Sequence, residues 1–136
     1  MIYTLFLMAF LPGDIQETEP TPMASTVQVC EIVQHRQKYE GKEVTVESVL
    51  VASRHGAVLA GKPCGEGIYI SHQAGRTGGK WPAFDNALVK ASTGLETAPL
   101  HVRVRGVYHD RVPDGKRTIR QIELNEILEV EFMPKP

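Results

Sequence analysis

Five histidines, two of them close to a serine in sequence, are the residues from which an enzyme or a metal site would be built. The histidines are His35, His55, His72, His101 and His109. No two of them stand at the H-x-x-x-H spacing that places a pair of zinc ligands on one helix face. Ser71 precedes His72 and Ser53 stands close to His55, but proximity in sequence does not make a nucleophile–base pair, and the G-x-S-x-G elbow is missing. The sequence therefore predicts a protein without enzymatic activity, metal or cofactor.

The two cysteines, Cys30 and Cys64, are separated by 64 − 30 = 34 residues. In an exported protein an even cysteine count favours a disulfide. A bridge that closes this loop would stabilise the fold by roughly 3–4 kcal/mol in the chain-entropy description. The alternatives are two reduced core cysteines in a cytoplasmic protein, or a zinc site completed by histidine. A disulfide explains the pair most simply, and we predict a Cys30–Cys64 bridge.

Basic side chains in the last third of the chain are the candidates for nucleic-acid binding. They are His101, Arg103, Arg105, His109, Arg111, Lys116, Arg117 and Arg120. Grooves that bind single strands combine such charges with stacked aromatic rings, for which Tyr69 and Tyr108 are the best placed. The simpler interpretation is a solvated strand face whose arginines pair with Glu47 or Glu123 across a sheet. The formal net charge of −1, from 15 basic and 16 acidic side chains, also disfavours non-specific nucleic-acid binding.

Residues 2–12 (IYTLFLMAFLP) form an apolar run interrupted by one threonine. The run is too short to span a bilayer, which needs about 20 residues, but its length fits the hydrophobic region of a secretory signal. No lysine or arginine precedes it and no clear A-x-A site follows it, so a packed N-terminal strand or helix is the alternative. Residues 17–22 (ETEPTP) are typical of a linker. We therefore divide the chain into an apolar segment with its linker, residues 1–24, and one domain, residues 25–133.

Residues 38–51 organise this domain, because a helix end, a glycine turn and a long strand follow one another there. Ser25 and Gln28 have the spacing of a capping box, which predicts an amphipathic helix that starts there and ends before Gly41. The next strand alternates apolar and polar residues until Ser48, after which three apolar residues follow in succession. That change predicts a bulge or sharp bend at Ser48, which would let the strand serve two sides of a small barrel.

Four further strands and one short helix complete the predicted domain. The strands are predicted near residues 57–60, 67–71, 100–109 and 118–132, with a turn and short helix within 81–91. Gly106 is expected to interrupt the fourth strand, and the fifth strand is expected to shift its pattern near Glu126. Pro113-Asp114-Gly115 predicts the turn between these two strands. A bent first strand, a mid-chain connection and a terminal hairpin together indicate a small closed barrel of mainly β class.

Four segments carry a resemblance to a known fold family. They are VCEIVQHRQKYEGKEVTVESVL (residues 29–50), CGEGIYIS (64–71), LHVRVRGVY (100–108) and QIELNEILEV (121–130). They resemble the OB-fold domains of small uncharacterised exported bacterial proteins, in which a Tyr-x-Gly-Lys helix end leads into a V-x-V-x-G-x-V strand. The resemblance covers residues 27–130, with Ser48 where the family pattern prefers glycine. It implies a five-stranded Greek-key barrel with an N-terminal amphipathic helix and a short helix between strands three and four.

OB folds bind ligands on strands two and three and on the adjoining loops, so the resemblance also implies where a site would lie. The candidate binding residues are Arg54, His55, Tyr69, His72, Arg103, Arg105 and Arg117. We expect a non-enzymatic binding module, periplasmic or secreted and without a stable membrane span, whose ligand is a protein, a glycan or another small polar molecule. The alternative is a cytoplasmic domain that binds single-stranded nucleic acid through Arg103, Arg105, Arg117 and Tyr69.

Overall fold

The computed structural model describes residues 25–53, 56–73, 76–93 and 99–133. Their elements are α1 Val29–Gln34, α2 Arg36–Tyr39, β1 Glu43–Ser53, β2 Gly56–Gly61, β3 Glu66–Ser71, α3 Trp81–Ser92, β4 Leu100–Asp114 and β5 Arg117–Phe132. The apolar segment and linker, residues 1–24, lie outside the described residues, and so do Arg54 and His55. The roles predicted for them therefore stay predictions.

The five strands form a closed barrel in the order β1-β2-β3-β5-β4. Neighbouring strands are antiparallel except β3 and β5, which run parallel where Tyr69 pairs with Gln121 and Ser71 with Glu123. Helix α3 connects β3 to β4. This arrangement confirms the predicted OB-like Greek-key barrel, including the helix between strands three and four.

Strand β1 belongs to two sides of the barrel, but it keeps one inward phase throughout. Val44, Val46 and Leu50 are buried, whereas Val51 is 52% exposed. The pairing of β1 with β4 continues without a register shift, so the predicted change of phase at Ser48 is wrong. The apolar run misled the prediction because β1 also carries apolar residues on its outer face. Ser48 instead donates a hydrogen bond from its hydroxyl to the Ala60 carbonyl (2.7 Å), one residue before β1 begins to pair with β2.

Strand β4 alternates strictly, with buried residues at every second position from Leu100 to Tyr108. Gly106 therefore does not interrupt the strand, contrary to the prediction. It lies against β5 instead: a Cβ on Gly106 would overlap the Glu123 carbonyl oxygen and stand 2.7 Å from Cγ2 of Ile122. The glycine is required because the two backbones approach too closely for any side chain.

Strand β5 confirms the predicted shift near Glu126. The register passes from Gly106–Leu124 to Arg105–Glu126, which leaves Asn125 unpaired in the ladder. A second shift of the same kind lies at Leu128. The bulge at Asn125 places Ile127 in the core, where unbroken alternation would have turned it outwards.

The first helix starts later than the capping-box spacing predicts. Val27 forms a parallel bridge with Val46 and donates its backbone N–H to the Thr45 carbonyl (2.8 Å). Helix α1 then begins after Gln28, and no side chain caps it. The tertiary bridge holds this stretch extended, so the capping-box prediction is wrong. Instead of one helix, two short helices follow, α1 and α2, with His35 between them, and α1 buries Val29 and Ile32 in the core.

The predicted disulfide is confirmed. Cys30 on α1 and Cys64 in the β2–β3 loop are bonded, with Cα atoms 5.8 Å apart. The bridge ties the helix to the adjacent loop and excludes both the reduced pair and the zinc site considered above. For a sequence separation of 34 residues, it contributes roughly 3–4 kcal/mol to stability in the chain-entropy description.

Helix α3 closes one end of the barrel. The turn and short helix expected within residues 81–91 form a single helix, whose first turn accommodates Pro82 because no intrahelical N–H is needed there. Its buried side chains are Trp81, Phe84 and Ala87, and it packs against β1 and β5.

The close approach of β4 to β5 leads to a stability prediction. We expect Gly106→Ala to lower the free energy of unfolding by about 3 kcal/mol, because the added methyl group meets backbone that cannot move aside. Gly115→Ala is the matched control in the turn of the same hairpin. Its φ is +65° and its surroundings are open, so it carries only the left-handed strain, about 1 kcal/mol.

Urea denaturation of the two variants and the parent chain measures both losses. Equal losses for Gly106→Ala and Gly115→Ala would contradict the steric account of Gly106.

Candidate functional site

A groove of about 370 Å³ lies between β3 and the β4–β5 hairpin. Its charged and aromatic lining residues are Arg36, Tyr69, Asp110, Arg111, Arg117 and Arg120. Four arginines thus face one carboxylate, on a chain whose formal net charge is −1. We call it the arginine groove. It overlaps the strand and hairpin on which OB folds bind ligands.

Three elements bring these side chains together. β3 contributes Tyr69, and its parallel pairing with β5 at Gln121 sets the start of β5 beside it. The hairpin, which turns at residues 115–116, contributes three of the arginines. Arg36 comes from α2, which packs against β4. The chain after α2 is fixed to β4 by a hydrogen bond from the Gly41 N–H to the Tyr108 carbonyl (2.8 Å).

Arg117 is held in place by two partners. It donates to Asp114 at 3.0 Å and to the Tyr69 hydroxyl at 3.2 Å. Its guanidinium also lies over the Tyr69 ring, 5.4 Å from the centroid. The hydrogen bonds to Tyr69 and Asp114 raise the pKa of Arg117. A ring stacking on that side of Tyr69 would first have to displace Arg117.

The other three arginines have fewer partners than Arg117. Arg120 donates one hydrogen bond to Glu66 (3.1 Å). Arg36 stands 3.8 Å from Asp110, beyond hydrogen-bonding distance. Arg111 is exposed and has no hydrogen-bond or ion-pair partner among the residues that the structure describes. The groove therefore contains guanidinium donors that remain available to a ligand.

Tyr108 supports the floor of this region from inside the barrel. Its side chain is fully buried, and its hydroxyl donates to Asp110 at 2.9 Å. Burial, followed by this hydrogen bond, raises the pKa of Tyr108 well above its usual range. The backbone N–H of Asp110 in turn donates to Glu40 (2.7 Å). Tyr108 is thus a core residue and offers no surface for base stacking.

The structure divides the predicted binding residues between two faces. Tyr69 and Arg117 lie together in the arginine groove, whereas Arg103 and Arg105 lie on the outer face of β4. There Arg103 pairs with Glu129 (2.8 Å) and Arg105 with Glu126 (2.7 Å). The neighbouring His101 stands 2.8 Å from Glu47. This is the solvated, charge-paired strand face that the simpler interpretation describes, although the arginines pair with other glutamates than the two it names.

His72 lies apart from the arginine groove, at the junction of β3 and α3. Its Nε2 stands 3.2 Å from Asp85, and its ring stacks against Trp81 with centroids 6.0 Å apart. Arg76 covers Trp81 from another direction, 4.8 Å from the ring centroid. His72 thus helps to fasten α3 to the barrel.

Of the groove arginines, Arg36 is not predicted, and Arg111 and Arg120 are candidates for nucleic-acid binding but are not in the final set of binding residues. For Arg111 and Arg120 a sequence signal exists, since both flank the predicted Pro113-Asp114-Gly115 turn and a hairpin brings its two arms together. For Arg36 there is none, because its position beside the hairpin follows from how α2 packs on β4.

No group of three or more His, Cys, Asp or Glu side chains among the described residues is arranged to hold a metal ion. No helix in that part of the chain has the length and hydrophobicity to cross a membrane.

No protein-family model matches the sequence, and no curated protein matches it significantly.

The buried Tyr108 predicts a loss of stability at alkaline pH. Its pKa is higher in the folded than in the unfolded protein, so the unfolded chain releases this proton first, above about pH 10. Stability present below that pH is therefore lost as the pH rises further. We expect Tyr108→Phe, which cannot ionise, to show a shallower decline of unfolding free energy above pH 10.

Denaturant titrations between pH 8 and 11 measure this difference. Tyr39→Phe is the control, because burial also raises the pKa of Tyr39 but its side chain is only partly buried, so its effect should have the same sign and be smaller. Parallel pH profiles for Tyr108→Phe and the parent chain would contradict the prediction.

Proposed function

We propose that this protein is a non-enzymatic OB-fold binding module that acts outside the cytoplasm and holds a polar ligand in the arginine groove. The ligand is a small molecule, a glycan or a segment of another protein. The observation that carries the proposal is the groove itself, which is lined by Tyr69 and four arginines from β3, the β4–β5 hairpin and α2.

The chemistry of the groove supports recognition more than catalysis. A guanidinium stays protonated in proteins, so arginine orients and neutralises a ligand but transfers no proton. Arg117, with its contacts to Asp114 and Tyr69, provides a wall that is ordered before a ligand arrives. Such preorganisation lowers the entropic cost of binding.

Single-stranded nucleic acid is the alternative ligand, because four arginines would also attract phosphates. Base stacking, however, supplies about 1–3 kcal/mol per base in such sites. Tyr69 is covered by Arg117 on one side, and Tyr108 is buried. These contacts favour a ligand that is recognised through its charged and polar groups.

Export is supported by two features. The Cys30–Cys64 disulfide is typical of proteins that mature in an oxidising compartment. The apolar run at residues 2–12 has the length of a signal-peptide core. We expect the full chain, expressed in a bacterial host, to be recovered from the periplasm or medium with a new N-terminus after the apolar run and without free thiols.

Cell fractionation, N-terminal sequencing and thiol titration test this part. A Cys30→Ser/Cys64→Ser variant separates export from bridge formation, since a secreted protein should still be processed without the bridge. Uncleaved protein in the cytoplasm with two free thiols would contradict the proposal.

If the protein binds a ligand in the arginine groove, that ligand should raise the melting temperature of the folded chain. We would screen neutral sugars, acidic sugars, short peptides and single-stranded oligonucleotides against the full chain by thermal shift. A ligand of the groove should stabilise the parent chain and the Arg103→Ala variant, because Arg103 lies on the outer face. Arg117→Ala should weaken its binding by about tenfold, the effect expected for one charge-assisted contact.

Equal responses of Arg117→Ala and Arg103→Ala would exclude the arginine groove as the site. Stabilisation by oligonucleotides alone would favour the nucleic-acid alternative.

A further inference from the structure

We infer that the arginine groove binds a tetrahedral oxyanion, a phosphate or sulfate group carried on a small polar molecule, with Arg111 as its principal contact. The inference rests on the proposed binding function and specifies the class of ligand. It follows from comparing the two sets of arginines on the same barrel.

The arginines of the outer face are already neutralised. Arg103 and Arg105 each stand within 2.8 Å of a glutamate on the neighbouring strand, so both charges have a close partner. A ligand anion there would have to compete with a carboxylate at each position. The outer face therefore carries arginines, but their charges are already paired with glutamates and are not available to a ligand.

In the arginine groove Arg117, Arg120 and Arg36 also have acidic partners, and Arg111 is the exception. Arg111 has no hydrogen-bond or ion-pair partner within the described part of the chain. Arg36 makes no hydrogen bond to Asp110, which is 3.8 Å away, and Arg120 donates only to Glu66. Glu66 is not among the residues that line the groove. Among the groove arginines, the guanidinium of Arg111 is therefore the one without a carboxylate partner in the described part of the chain, and it is available to an anion.

Asp110 is the single carboxylate in the lining, and its position limits its opposition to an anion. Its side chain is only 16% exposed. One oxygen accepts the hydrogen bond of the buried Tyr108 hydroxyl. Its other oxygen lies 3.8 Å from the guanidinium of Arg36, close enough for an ion pair but too far for a hydrogen bond. Both contacts offset the negative charge of Asp110.

The shape of the donor set favours a tetrahedral group. A planar carboxylate is matched by one guanidinium fork, which forms two parallel hydrogen bonds. Phosphate and sulfate present three terminal oxygens in different directions and can accept from several forks at once. Arg36, Arg111 and Arg120 reach the groove from a helix and from both strands of a hairpin, so they approach from different directions.

Isothermal titration calorimetry on the full chain tests the inference, with glucose 6-phosphate, glucose 6-sulfate and unmodified glucose as probes. The buffer contains no phosphate or sulfate and little salt, because screening weakens exposed charges. We expect both esters to bind, with glucose at least about tenfold weaker, the ratio given by one good charged contact. A sulfate stays singly charged between pH 5 and 8, while a phosphate gains charge near pH 6. Tighter binding of the phosphate alone as the pH rises would identify phosphate as the preferred group.

Arg111→Ala is the decisive variant. Arg111 is exposed and unpartnered among the described residues, so its removal should leave the fold intact, which the melting temperature verifies. We expect it to weaken both esters by about tenfold, the effect of one charge-assisted contact, while the matched Arg103→Ala stays within about twofold of the parent chain. Arg111→Lys should fall between these two, since it keeps the charge but loses the fork.

Two outcomes overturn the inference. Equal affinity for glucose and its esters, or equal weakening by Arg111→Ala and Arg103→Ala, would show that no anion is bound at Arg111. If a neutral ligand from the thermal-shift panel still bound in an Arg117-dependent way, the binding function would survive without this ligand class. If no probe of either kind bound, both the inference and the proposed function would fall.

Discussion

Closure of the barrel depends on the pairing of β1 along both of its edges. Val49 and Leu50 pair with β2 on one side and with β4 on the other. A strand in this position has no free ladder at these residues, which removes the edge that an open sheet would expose. The Ser48 hydroxyl donates a hydrogen bond to the Ala60 carbonyl at the point where β1 begins to pair with β2.

Once the barrel is closed, the position of the groove follows. β3 and β5 must meet as parallel neighbours, which places Tyr69 beside the start of β5. The β4–β5 hairpin extends beyond that junction, and α2 packs along β4. The arginines are therefore gathered by topology from distant points of the chain. The Cys30–Cys64 bridge fastens α1 to the loop before β3, at the other end of the same strand.

The scaffold could be predicted from the sequence because its signals are local. The alternation from Leu100 to Val104, the hairpin turn at Gly115 and the glycine that ends the helical region each reflect a short-range preference, although Pro113 and Asp114 belong to β4 and not to the turn. The errors at Ser25 and Ser48 have different causes: a tertiary bridge overrides the local pattern at Ser25, and an apolar residue on an outer face misled the prediction at Ser48. Val27 is held extended by β1, and Val51 lies on an outer face despite its apolar side chain. The groove was only partly predictable, because Arg36 reaches it solely through helix packing.

The two bulges of β5 explain why the sequence could not distinguish the paired arginines from the available ones. If the register of Gly106 with Leu124 continued unbroken, Asn125 would stand opposite Arg105 and Ile127 opposite Arg103. Those arginines would then lack acidic partners. The bulges at Asn125 and Leu128 instead bring Glu126 and Glu129 to these positions, while Ile127 turns into the core. The two bulges thus set both the packing of Ile127 and the charge pairing of Arg103 and Arg105.

A consequence for the whole surface follows from this register. The bulges pair the arginines in the central part of β4 with glutamates, whereas Arg111 at the far end of the strand has no acidic partner among the described residues. A groove with free guanidinium groups can then exist on a chain that is nearly neutral overall. The local imbalance, rather than the net charge, determines what such a surface attracts at distances within a Debye length.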